Sequence, residues 1–172
     1  MLSTFGVTHS SQKSFNNHLG VPLTLANIPK NADFVICEIG MNSKGEIEPL
    51  SKLVAPDIAV ITSIDADHLD IYKSHTDFID SFQQFIHQIK DNGYLIIEES
   101  IVNYFEKPKN IKCLTYSSSF TSDYYMSDLF QKNNSYHFKY SSRQESDVVK
   151  GIVLPMLGKH NVSNACLLYT SP

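Results

Sequence analysis

The sequence predicts an α/β fold: a mostly parallel sheet flanked by helices, with an antiparallel extension. Three observations carry this reading. Short, nearly continuous apolar runs recur at residues 32–40, 57–64 and 94–99, as expected of strands buried on both faces. The two segments between them repeat their apolar residues at helical spacing. Beyond residue 111 the chain breaks into short β-type runs separated by Asn and Ser clusters, a pattern of hairpin-linked strands.

Taken in order, residues 11–29 (SQKSFNNHLGVPLTLANIP) read as a loop and then a short helix. Gly20 and Pro22 suit its start, and Leu23, Leu25 and Ile28 are placed toward a core. ADFVICEIG, residues 32–40, is the first strand. GEIEPLSKLVAP follows, with Ile47, Leu50, Leu53 and Val54 at helical spacing and Pro56 as the stop. DIAVITSI is the second strand. Residues 74–93 form the clearest helix, with Phe78, Ile79, Phe82, Phe85, Ile86 and Ile89 in one stripe. Ser74 and Asp77 resemble a capping box, and Asn92-Gly93 closes the segment. YLIIEE is the third strand, and the alternation from 32 to 99 argues for right-handed crossovers between parallel strands. IKCLTYSS, SDYYMSDLFQ and SYHFKYSS read as an antiparallel meander, VKGIVLP as one more strand, and GKHNVSNACLL as the beginning of a last helix.

The bulk properties narrow the function classes. The 172 residues suit one domain, or one domain of something larger, and a chain of this length buries about 70% of the surface it exposes when unfolded. A net charge of −4 argues against wholesale attraction to nucleic acid or a membrane, so a phosphate ligand is met locally, by metal or backbone amides. Cys37, Cys113 and Cys166 make an odd set without CxxC spacing. They predict a reducing, cytoplasmic setting with no disulfide frame and no zinc site. No apolar run reaches the length of a membrane span, and the N-terminus lacks the regions of a signal peptide.

Three motifs carry candidate chemistry. ITSIDADHLDIY, residues 61–72, crowds Asp65, Asp67, His68 and Asp70 behind the second strand. Ligands in open α/β sheets bind at the carboxyl ends of strands. Glu38, at the end of the first strand, and His68 are therefore expected to share one rim. One carboxylate and one imidazole leave magnesium positions free for waters and phosphate oxygens. The alternative is a solvated turn with a capping aspartate. FNNHLG sets two amides, Asn16 and Asn17, in a loop, where they cap or turn the chain or bind a sugar or phosphate. GKHNVSN sets Asn161 and Asn164 three apart on one helix face, where Asn161 is an N-cap or both amides read the edge of a base. The sequence contains no GxxxxGK[ST], so no Gly-rich loop within it cradles a triphosphate.

Together these pieces resemble the Mur ligases, the ATP-dependent amide ligases of peptidoglycan precursor synthesis, in their central ATP-binding domain. Residues 1–55 resemble the D-alanyl-D-alanine-adding branch. Residues 56–165, through DADHLD and LPMLGKHNVSNA, resemble the L-alanine-adding branch. The resemblance implies ATP and magnesium as cofactors. It implies a UDP-N-acetylmuramoyl substrate and an amino acid or dipeptide as partners, with no nucleic acid and no membrane. It makes Glu38 and His68 magnesium ligands and the catalytic pair, Asn17 a substrate contact, and His160, Asn161 and Asn164 the contacts to adenine. Most of the family carries a carbamoylated lysine after the histidine. Here no lysine lies between Lys73 and Lys90, as in the L-alanine-adding branch. The family's P-loop falls just before the position of MLSTFGV. Residues 1–167 are thus expected to form a partial central domain truncated at both ends. Residues 168–172 lie outside the pattern, and the UDP-binding and amino-acid-binding domains are not in the sequence. On this reading the chain alone is catalytically silent.

Overall fold

A computed structural model describes residues 2–41, 43–64, 72, 74–143 and 149–170. The strands are β1 (Thr8–Ser10), β2 (Phe34–Ile36), β3 (Ile58–Ile61), β4 (Tyr94–Glu98), β5 (Lys112–Ser117), β6 (Tyr124–Lys132), β7 (Ser135–Ser142) and β8 (Val149–Leu154). The α-helices are α1 (Gly20–Ala26), α2 (Ile47–Val54), α3 (His75–His87) and α4 (Lys159–Thr170), with 3₁₀ turns at Leu2–Thr4 and Glu99–Tyr104. The chain divides into two compact units. One comprises residues 1–57 and 65–91, the other residues 58–64 and 92–172.

In the first unit β1 and β2 pair in parallel, with Thr8 opposite Phe34 and Ser10 opposite Ile36. The first apolar strand of the sequence therefore takes as its partner three polar residues, Thr-His-Ser, that carry no strand signal. Ser74 caps α3 as the sequence predicts, its hydroxyl accepting from Asp77 N at 3.1 Å. Phe78 and Ile86 of the predicted stripe are buried. The end of α2 also follows its sequence: Ala55 adopts φ 44° and donates to Ser51 O, and Pro56 comes next. Two expectations fail. In α1 the buried side chains are Val21 and Thr24, while Leu23 is 52% exposed. The helix is only seven residues long, so its start at Gly20 rather than its apolar count sets the inward face. Leu53 of α2 is likewise exposed, because Ile47, Leu50 and Ser51 take the inward positions.

The second unit is one sheet in the order β3-β4-β5-β6-β7-β8. β3, β4 and β5 are mutually parallel, in register Ile58–Tyr94–Lys112 and onward. β5 was expected in the antiparallel meander. It runs parallel instead because the connection from β4, over residues 99–111, carries the Glu99–Tyr104 turn and is long enough for a crossover. β6 touches β5 in parallel through only Tyr116–Tyr124 and Ser117–Tyr125. The antiparallel extension is β6-β7-β8. Its first hairpin turns on Asn133 and Asn134, both at positive φ, as a two-residue turn demands. The core gathers Ile96, Tyr116, Met126, Phe138 and Tyr140 from the sheet beneath Val162, Ala165 and Cys166 of α4. Leu95, Ile96 and Ile97 are all fully buried, as the unbroken apolar run predicts.

Candidate functional site

The first unit places Glu38 just past the carboxyl end of β2, exposed to solvent. Three contacts arrange the chain around it. Ser11 N donates to Ile36 O at 3.1 Å, which prolongs the β1–β2 pairing by one bond. Glu38 N donates to Ser11 Oγ at 3.2 Å. Asn16 Nδ2 donates to Glu38 Oε1 at 2.8 Å. The backbone of Asn16 adds a fourth tie, its carbonyl accepting from Gly40 N at 2.8 Å. The loop between β1 and α1 thus closes over the strand end and grips one carboxylate oxygen. Oε2 has no hydrogen-bond partner among the described residues.

Asn17 lies in the turn that leads into α1. Its Oδ1 accepts from Leu19 N at 3.1 Å and Gly20 N at 2.9 Å, and its carbonyl accepts from Val21 N at 3.0 Å. These bonds satisfy amide donors that a helix start would otherwise leave unpaired. Its side-chain oxygen is thereby committed, and the amide nitrogen is the atom left for a ligand.

The second unit holds the other group. Gly158, at φ 102°, turns the chain into α4, and Asn161 N donates to its carbonyl at 3.1 Å. Asn161 Nδ2 reaches back to Leu157 O at 2.6 Å, so this side chain locks the turn and keeps Oδ1 as its remaining acceptor. His160 is exposed, and its ring lies so close over Gly158 that a β-carbon there would sit 2.5 Å from Cε1. Asn164, one turn further, is exposed, while Val162, Ala165 and Cys166 pack into the core. The two amides therefore stand on the helix away from the core, as their spacing predicts. Cys166 is fully buried, and burial pushes its thiol up to about 12, which leaves it an inert packing residue. Burial also raises Cys37, next to Glu38, above the ordinary thiol value.

The predicted residues thus fall into two groups, Glu38 with Asn17 in one unit and His160 with Asn161 and Asn164 in the other. His68 and the acidic residues Asp65, Asp67 and Asp70 lie outside the described residues. Among the described residues no three His, Cys, Asp or Glu side chains gather as a metal cage. The oxygen donor that the described residues offer at this rim is the single Glu38 carboxylate.

Sequence reading missed two features. FNN holds two amides, and nothing in the motif says that Asn16 is the one that bonds Glu38. A second carboxylate, Glu99, accepts from Thr121 Oγ1 at 2.6 Å, Ser122 Oγ at 2.7 Å and Ser117 Oγ at 2.9 Å. The Ser-rich stretch at residues 117–122 was its only sequence signal. These hydroxyls, with Thr121 foremost, hold the Glu99 carboxyl below its ordinary value.

A family model described as the Mur ligase middle domain matches residues 1–170. The UDP-N-acetylmuramoyl-tripeptide–D-alanyl-D-alanine ligase of Bacillus subtilis is 34% identical over 171 residues, covering 96% of this chain and 35% of that protein. The UDP-N-acetylmuramate–L-alanine ligase of Bartonella bacilliformis is 31% identical over 116 residues, covering 63% of this chain and 24% of that one. A crystal structure of MurF from Acinetobacter baumannii superposes with a TM-score of 0.83 at 25% identity, covering 96% of this chain and 36% of that chain. The chain thus spans about a third of the length of the proteins it matches.

Proposed function

The chain belongs to the Mur ligase family, by its middle domain, and on that premise we propose that it serves an ATP-dependent ligase of peptidoglycan precursors. The reaction joins an amino acid or dipeptide to a UDP-N-acetylmuramoyl acceptor, in the cytoplasm, through an acyl phosphate. The observation that carries this reading is the exposed Glu38 carboxylate at a strand's carboxyl end, one oxygen gripped and the other without a partner among the described residues. Glu38 and His68 would hold magnesium. When bound, the ion neutralises charge on the phosphoryl group in transfer. Asn164 and the remaining acceptor of Asn161 present an amide edge that suits adenine, with His160 beside them. Asn17 offers its amide nitrogen to the acidic substrate.

We favour D-alanyl-D-alanine as the group added, because the Bacillus subtilis match runs over 96% of the chain. L-Alanine is the second reading. It is supported by the 116-residue match to the L-alanine ligase and by the lack of a lysine between Lys73 and Lys90. The 172 residues hold no GxxxxGK[ST] nest, so we expect this chain by itself to bind nucleotide weakly and not to turn it over.

Magnesium added to isotopically labelled chain, followed by NMR, is the test. The expected result is a saturable shift at Glu38 that is lost in Glu38→Gln, and further shifts at Asn161 and Asn164 when ADP is added. No response at Glu38 at millimolar magnesium would overturn the reading. Phosphate release from ATP by the purified chain, absent in His68→Ala, would overturn the expected silence.

A further inference from the structure

We propose that Asn16 is the positioning residue of this site, its side-chain amide fixing the rotamer of Glu38 so that the second carboxylate oxygen faces a divalent cation. The proposal rests on Glu38 being the magnesium ligand. A glutamate at an exposed strand end has several freely rotating bonds, and freezing them opposes metal binding. Asn16 removes part of that cost beforehand. Its Nδ2 lies 2.8 Å from Glu38 Oε1 across 22 positions of sequence, and Glu38 N is separately held by Ser11 Oγ.

The chemistry of the partner supports the assignment. A lysine or arginine here would neutralise the carboxylate and repel a cation. An aspartate would repel the carboxylate itself. An amide donates one hydrogen bond without charge, so Glu38 keeps its full negative charge for the metal. A second observation is the space at Gly40. A β-carbon there would stand 2.6 Å from both Cγ and Nδ2 of Asn16. Gly40 does not have positive φ, so what its missing side chain supplies is room for the Asn16 amide. The bond is not needed merely to tie the loop down. The backbone bonds Gly40 N to Asn16 O and Ser11 N to Ile36 O already do that.

The test uses the labelled chain with Asn16→Ala, Asn16→Asp and Gly40→Ala. Gly40→Ala leaves Asn16 chemically intact and displaces its amide, which covers the case of an Asn16 variant that does not fold. Without metal, side-chain three-bond couplings of Glu38 report one rotamer in the wild type and averaged values in all three variants. Magnesium affinity at Glu38 falls about tenfold in Asn16→Ala and Gly40→Ala. Amide exchange at Val21 and Thr24 stays as in the wild type. Couplings and affinity unchanged in Asn16→Ala, with a wild-type magnesium response present, overturn the positioning role alone. A wild type that gives no magnesium response at Glu38 overturns the magnesium reading, and with it the purpose assigned to Asn16.

Discussion

The rim around Glu38 and the sheet beneath α4 are ordered by different forces. At the rim, β1 and β2 have three residues each, and Val35 and Ile36 are 42% and 47% exposed. Directional bonds give the region its shape: Asp33 Oδ2 on Val7 N, His9 Nε2 with Thr24 O, Asn17 on the start of α1, and Asn16 on Glu38. Beneath α4, by contrast, Ile96, Tyr116, Val162 and Cys166 have no exposed surface and Phe138 has 2%. A hydrogen bond of the first kind contributes about 1 kcal/mol. A large side chain of the second kind contributes several times that. The rim is therefore set by many small, geometry-sensitive terms. Single changes can re-aim it at modest cost in stability, whereas single changes beneath α4 remove a large share of stability without touching a predicted ligand.

Phe138→Ala is expected to have the largest effect. It opens a cavity among Ile96, Tyr116 and Val162 and is expected to cost about 3–5 kcal/mol in denaturant titration, with faster amide exchange at Leu95, Ile96 and Ile97. A loss below about 1 kcal/mol would mean the site collapses freely and the contrast is false. Gly20→Ala comes next and tests the rim. Helix propensity favours alanine by about 1 kcal/mol. Its β-carbon, however, would lie 2.4 Å from the backbone carbonyl carbon of Phe15, where nothing flexible can yield. The collision wins, and a net loss of about 1–3 kcal/mol is expected, with exchange accelerated at Val21 and Thr24. A stabilised variant would show that the Phe15–Gly20 turn has room to move.

The elements most legible in the sequence are those with a strong pattern and a local chemical reason for it. The unbroken run of β4 and the Asn133-Asn134 turn form where expected. α3 starts where expected but stops at His87 with Gln88 as its C-terminal cap, short of Asn92-Gly93, and Ile89 of the stripe is buried beyond the helix end. β1 was invisible because its Thr-His-Ser sequence has no apolar period; pairing with β2 creates it. The direction of β5 was misread because a short apolar run does not say how its connection travels. Residues 99–111 decide that through a 3₁₀ turn whose sequence, Glu-Ser-Ile-Val-Asn-Tyr, has no helical signature. At the site, residue type was legible and orientation was not. FNN announced two amides, but it is the fold that turns Asn17 toward the start of α1 and Asn16 toward Glu38.

Two smaller effects refine the contrast. Asn17→Ala removes the acceptor shared by Leu19 N and Gly20 N and is expected to cost about 1 kcal/mol, read by denaturant titration and by faster exchange at Gly20 and Val21. No loss would mean that water caps α1 equally well. The smallest effect, at neutral pH, is that of Glu99→Gln, which keeps the side chain's shape and removes its charge. The Glu99 carboxyl is held below its ordinary value near 4.5, so the unfolded chain takes up this proton first as pH falls. Its contribution to stability is complete above the unfolded value and is lost as pH drops through the folded value. The wild type should therefore lose stability from about pH 5 downward, while Glu99→Gln lacks this part of the slope and the two midpoints converge. A gap between them that stays constant from about pH 7 to 3 would show that the Thr121, Ser122 and Ser117 hydroxyls bind charged and neutral side chains alike.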